Sequence, residues 1–330
     1  MKKILSVFLA IILALSVVGC SAGKDKKVYN LRSSTNLTAT STVGKSLAHF
    51  VELVNEKSNG RINATANFGS ELGSQAEQVE MAKLGDLDMV VAAPGTGPGS
   101  YEGLGQLMMF EFPFLFKDND HYRRVLKEME GDVDKLVSSI GFTAMAGQSQ
   151  GSRYILTTSP VNSMEDMKGL VMRGPNKVYI SMFEALGASG ITMDWNEIYT
   201  ALSQKICNGC EGSPSSLNAS KFQDNAKYLA VTNHIIACVY YFFNSEWLEE
   251  LPEDLQKIVR ECADEAVAYQ EKIDDEDQTV ALEQMKKDGV TVTEMADIDA
   301  WKAACAPMLD EYRSKGQEWS SFIDKLTAVQ

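Results

Sequence analysis

Between residues 28 and 93 the chain passes twice from extended to helical periodicity and back, and this order restricts the fold more than any other feature of the sequence. Residues 28–34 predict a strand. Residues 39–57 carry Val43, Leu47, Phe50, Val51 and Val54 on one helical stripe, which Asn59-Gly60 ends. A second strand is expected at 61–66, a helix at 74–84 and a third strand at 88–93. Such a β-α-β-α-β opening predicts an α/β protein with a mostly parallel sheet flanked by helices. The alternation resumes with strands expected near 141–147, 154–157, 170–172, 190–193, 205–207 and 228–231, and with helices between them such as 177–186. From 252 to 287 a single helical pattern runs far beyond the usual helix length, so it is expected to span two domains or bend between them. Its acidic middle, Asp274-Asp-Glu-Asp, reads as a solvated face rather than a metal site.

The chain has 330 residues, 45% of them hydrophobic, enough for about two domains by the usual length rule. The start, MKKILSVFLAIILALSVVGC, joins two lysines to an apolar run of export-signal length. Removing residues 1–19 takes away both lysines and moves the formal charge from −14 to −16, a balance that would repel nucleic-acid phosphates. Any anion bound here needs a local positive site. After Cys20, five cysteines remain, an odd and scattered set that reads as structural; Cys207-Asn-Gly-Cys210 looks like a strand entering a turn, with a disulfide or a metal as the lesser alternatives. His49, His121 and His234 show no ligand spacing to one another, and no cofactor or metal is expected. The glycine-rich segment 94–105 lacks the lysine of a phosphate-binding loop and reads as a flexible connection facing the carboxyl end of a strand, where α/β proteins bind ligands.

One residue stands out. Arg173, in DMKGLVMRGP, falls at the end of what reads as a short buried strand. A guanidinium there is costly unless paired, and its planar fork matches a carboxylate. From the residues alone, a ligand carboxylate and an internal pair with Glu165 or Asp166 are equally good partners.

The stretches EKSNGR (56–61), LGSQAEQVEMAKLGDLDMV (72–90), GSRYILTTSPVNSMEDMKGLVMRGP (151–175), ITMDWNEIYTALSQKICNGCEGSP (191–214) and AVTNHI (230–235) occur in an order and at spacings that resemble the extracytoplasmic solute receptors of TRAP transporters, the tripartite ATP-independent family. The likeness runs from Val28 into the C-terminal helix. It implies a bilobal fold of the periplasmic-binding-protein type, with two α/β domains around a cleft, crossing strands and a long helix spanning the hinge. On that basis residues 28–150 with about 239–278 form lobe I, and 151–238 with about 279–330 form lobe II. The ending Val-Val-Gly-Cys resembles a lipobox, which implies a signal peptide at 1–19, a lipid on Cys20 and a tether at 20–27.

The same resemblance assigns roles. Arg173 stands at the family's anchor for the ligand carboxylate, Arg153 at a second arginine of the cleft, Trp195 at its aromatic wall and Asn36 at a polar contact of sialic-acid-binding members. At two further polar positions of those members this chain has Gln75 and Ala93. It departs from the "V-D-G-x-E-N-P" pattern at Asn208 and at Gly212, so a contact made by the family asparagine must come from a neighbour such as Ser213 or from water. These departures point away from sialic acid. The function implied is a monomeric, lipid-anchored receptor on the outer face of the bacterial cell membrane that hands an organic acid to membrane permease subunits. A hexuronate or related sugar acid is favoured, with a small dicarboxylate or other 2-oxo or hydroxy acid as the alternative. A sensory lipoprotein and a receptor for an ABC importer are weaker rivals. An enzyme is not expected, since His234 has no serine or cysteine nucleophile beside it.

Overall fold

The computed structural model describes residues 27–330, so the expected leader 1–19, Cys20 and the tether up to residue 26 lie outside the described residues. The chain opens with β1 (Tyr29–Thr35), α1 (Thr42–Lys57), β2 (Ile62–Asn67), α2 (Gln75–Leu84) and β3 (Met89–Ala92). Ser41 caps α1 by accepting from the Gly44 amide, and Ser74 forms a capping box with Glu77 on α2. The apolar stripe of α1, Val43, Leu47, Phe50 and Val54, is buried in the core beneath it. β1 pairs in parallel with both neighbours, Leu31 opposite Ala64 and Ser34 opposite Val90.

After α3 (Asn119–Val137), β4 (Phe142–Ser152) leads through Arg153 into β5 (Tyr154–Thr157). Next come β6 (Val171–Gly174), α4 (Lys177–Ala185), β7 (Ser189–Thr192), α5 (Ile198–Ser203), β8 (Gly209–Gly212), α6 (Pro214–Ala219) and β9 (Tyr228–Val231). β10 (Ile236–Asn244) follows, and the chain ends with α7 (Ser245–Glu250), α8 (Glu253–Lys287), β11 (Thr291–Glu294), α9 (Ile298–Cys305), α10 (Pro307–Arg313) and α11 (Gln317–Ala328). One sheet has the order β2-β1-β3-β10-β4, the other β11-β9-β5-β8-β6-β7. β4 continues into β5 and β9 into β10, so two antiparallel strands cross side by side from sheet to sheet, with Ile236 opposite Ser152 and Ile155 opposite Ala230. The result is two α/β lobes. α8 joins them as well: Leu255, Val259, Cys262, Ala263 and Ala266 enter the first lobe's core, and Leu282 and Met285 pack in the second.

Several expectations are corrected. The strand expected at 205–207 is a turn, because the Lys205 and Ile206 amides reach back to Leu202 O and Ala201 O and close α5, with Lys205 left-handed at φ 60°. The acidic middle of α8 is only partly solvated. Asp274 is fully buried and accepts from Asn119 and Gln278, and Asp277 takes the Lys45 ammonium at 2.6 Å. The glycine-rich segment is packed rather than loose, since a Cβ on Gly97 would meet Ala93 O at 2.9 Å and one on Gly99 would meet Pro94 O at 2.8 Å. The last helix does not follow lobe II. In α11, Phe322 packs on Phe110 at 5.7 Å and Lys325 pairs with Asp132, both on the first lobe, because that is where its apolar face finds cover. All five cysteines among the described residues are buried and free. No helix among those residues is long and apolar enough to cross a membrane.

Candidate functional site

A cavity of about 200 Å³ opens between the lobes where the strands end. From the first lobe it is lined by Asn36 after β1, Gln75 at the start of α2, Ala93 and Thr96 after β3, and Glu111. The crossing strands supply Gln150, Arg153 and Val239. The second lobe supplies Arg173 and Pro175 at the end of β6, Asp194 and Trp195 after β7, and Ser216 in α6. The carboxyl ends of parallel strands converge here, the usual ligand position of open α/β sheets.

Arg173 lies within β6 and is 3% exposed. Its Nε donates to Met193 O at 2.9 Å, and its guanidinium sits 5.7 Å from the centre of the Trp195 ring. Glu165 and Asp166 are not its partners: Glu165 pairs with Lys168, and Asp166 accepts from the Asn162 and Ser163 amides. The nearest carboxylate oxygen is Glu211 Oε1, 3.8 Å from Nη1 and beyond hydrogen-bond reach. Burial pulls the Arg173 pKa down, with Glu211 opposing, yet a guanidinium stays charged. Its terminal nitrogens make no hydrogen bond to the described residues, and the residue borders the cavity.

Arg153 is held differently. Its backbone amide donates to Ile235 O across the crossing strands, and its side chain clasps Glu211: Nε donates to Oε2, and Nη2 donates to Oε1 at 2.8 Å and to the Glu211 carbonyl at 3.2 Å. Burial opposes the charge on Glu211, but the Arg153 guanidinium beside it holds the carboxyl below its usual range. Burial likewise opposes the charge on Arg153, and Glu211 more than reverses it. His234 completes the group, with Nε2 3.9 Å from Glu211 Oε2 and Nδ1 2.7 Å from Thr232 Oγ1. Burial pushes its pKa down to about 4, so the ring is neutral at ordinary pH. Arg153 is therefore paired inside the protein, whereas Arg173 has no hydrogen-bonded carboxylate among the described residues.

The other expected residues divide. Asn36, Gln75 and Trp195 border the cavity, Gln75 donating to Thr96 Oγ1 and Trp195 to Ser220 Oγ. Gly212 and Ser213 are not in its wall. A Cβ on Gly212 would meet Leu217 Cδ2 at 2.9 Å and Trp195 at 3.1 Å, so the space beside this glycine is filled by those side chains. Ser213 is buried and donates to Ser216 Oγ, and Ser216 is the one that reaches the cavity. Sequence reasoning missed Glu211, although it is the glutamate of "G-x-E-N-P". It also missed Glu111, whose signal is a lone acid inside the apolar run MFEFPFLF. Tyr179 donates to Glu111 Oε1 at 3.1 Å and Asn176 to Oε2 at 3.3 Å. Burial pushes the Glu111 pKa up to about 7, the Arg153 charge opposing and the Glu211 charge adding.

A family model for bacterial extracellular solute-binding proteins of family 7, named DctP, matches residues 33–315. The chain belongs to this family. Among curated relatives, the C4-dicarboxylate-binding periplasmic protein DctP of Rhodobacter capsulatus is 28% identical over 261 residues, 76% of this chain and 77% of its own length. Two solved structures of TRAP periplasmic solute-binding proteins are each 26% identical to this chain. The Pseudomonas putida F1 protein, with bound D-glucuronate, superposes with a TM-score of 0.84 over 91% of this chain and 97% of its own. The Polaromonas protein, bound to D-erythronate, gives 0.85 over 92% and 99%. This DctP-family protein is thus a TRAP-type solute receptor of the extracytoplasmic space, with the bilobal fold expected of one, and the family implies a membrane permease as its partner.

Proposed function

We propose that this receptor binds the carboxylate of an organic acid on Arg173 and presents the closed complex to a TRAP permease, a hexuronate or related sugar acid being the favoured ligand. One observation carries the reading: Arg173 is a buried cation with a single hydrogen bond to the described residues, on the wall of the cavity. A bidentate carboxylate fits its free nitrogens. At about 200 Å³ the cavity falls below the roughly 300–1,000 Å³ of drug-sized sites, which favours a small acid over a large one. Trp195 offers a flat apolar face for a sugar ring, and Asn36, Gln75 and Gln150 offer amides for hydroxyls. Relatives that carry D-glucuronate and D-erythronate support the class. Arg153, clasped by Glu211, sets the cleft's shape rather than holding a second carboxylate, which weakens the dicarboxylate alternative. In this reading the protein performs no chemistry, works as a monomer and is tethered to the membrane by a lipid on Cys20.

The test is a thermal-shift screen of hexuronates, aldonates, C4 dicarboxylates and neutral sugars, followed by calorimetry on the best acid. Stabilisation by acids without their consumption is expected. Stabilisation by neutral sugars alone, or turnover of the added acid, would overturn the proposal.

A further inference from the structure

Glu111 lines the cleft together with one other carboxylate, Asp194. It is 3% exposed, receives one bond from Tyr179 and one from Asn176, and has no cation within 4 Å among the described residues. The charge balance of the cleft makes this consequential. Glu211 takes the hydrogen bonds of Arg153, and the carboxylate of a bound acid would take those of Arg173, so two cations would face three carboxylates besides Glu111, which has no ion pair of its own among the described residues. A buried charge without a partner is costly, and a second negative charge beside it more so.

We infer that Glu111 sets ligand specificity, binding a hydroxyl on a part of the ligand other than its anchored carboxylate and turning away a second carboxylate. The inference rests on the organic-acid reading above and narrows it to monocarboxylate hydroxy acids. A carboxyl group in the middle of its titration accepts from a hydroxyl when ionised and donates to one when protonated, so a hydroxyl suits both states, whereas an ammonium suits only the ionised one. The groups whose charges bear on Glu111 are Arg153 between the crossing strands, Arg173 of β6, Glu211 of β8, Tyr179 of α4, Tyr122 of α3 and Cys238 of β10. The tyrosines and the buried thiol have their pKa values raised by burial first, so between pH 8 and 5.5 Glu111 is the group of this set whose charge changes; nearby, His234 has its pKa lowered by burial and Asp194, across the cleft, has its own raised by burial.

D-glucuronate and D-glucarate differ at one end, an aldehyde or its ring hydroxyl against a carboxylate, and make a matched pair of probes. On wild-type protein at about pH 8, calorimetry should find glucarate at least about 30-fold weaker than glucuronate, and the gap should shrink about tenfold near pH 5.5 as Glu111 takes up a proton. Glu111→Gln keeps the shape and a hydrogen-bonding group; it should bring the two ligands within about threefold of each other and remove the pH dependence of their ratio. Equal affinities on wild type at pH 8, or a ratio that Glu111→Gln leaves unchanged, overturns the inference while the organic-acid reading stands. Tighter binding of an amino-sugar acid than of glucuronate on wild type overturns the hydroxyl assignment. If no acid on the panel binds wild type, both readings fall. The wild-type arms need no variant to fold.

Discussion

Replacing Arg173 by alanine removes a buried cation that has no hydrogen-bonded carboxylate among the described residues. Among the described residues the guanidinium gives one bond to Met193 O and none to a carboxylate, which leaves its terminal nitrogens for two parallel bonds to a ligand. A hydrogen bond to a charged group is worth about 1.5–3 kcal/mol net, so losing two costs about 3–6 kcal/mol, at least a hundredfold in affinity. The ligand's carboxylate would also face Glu211 with no cation between them. Arg173→Lys should recover little, because an ammonium cannot offer two parallel donors. The empty protein should be as stable as wild type or more so, since a buried arginine with one bond is a burden on the fold. Calorimetric titration with the best acid from the screen, beside urea unfolding of the apo proteins, checks both halves. A folded Arg173→Ala protein with wild-type affinity would refute the anchor argument.

Glu211→Gln should behave in the opposite way, leaving Arg153 and Arg173 together in the interior and costing about 3–5 kcal/mol of apo stability by urea unfolding. Two buried groups set opposing pH slopes. His234, with its folded pKa pushed below the unfolded 6.5 to about 4, makes the fold lose stability as pH falls through that window, and Glu111, raised from 4.5 to about 7, makes it gain. Melting curves should therefore show Glu111→Gln losing stability between pH 6.5 and 4.5 more steeply than wild type, by at most about 1.4 kcal/mol per pH unit. Gly212→Asn crowds Leu217 and Trp195 and should cost about 1–3 kcal/mol, read from the urea midpoint. Cys20→Ala should release the protein from the membrane fraction or leave its leader uncleaved, as mass spectrometry of the expressed chain would record.

The alternating periods of residues 28–93 determined the first five elements and their parallel pairing, because strand and helix spacings differ and consecutive β-α units have few ways to pack. The 35 residues of α8 were equally plain, and so was the place of Arg173, since a charge in an apolar run demands a reason. β10 was not, because IACVYYFFN is buried on both sides and has no alternation to mark it as a strand. Local pattern also could not say that α11 returns to the first lobe, since an amphipathic face does not name the surface that covers it. The clearest division lies between the two arginines. Sequence supplied both, but only the tertiary structure brought Glu211, 58 residues away, onto Arg153, and left Arg173 without a hydrogen-bonded carboxylate among the described residues. The same is true of Glu111, which becomes part of the site because Tyr179, Asn176 and the crossing strands converge on it. Charge pairing over such separations depends on the packing of whole lobes, and no short stretch of the sequence contains it.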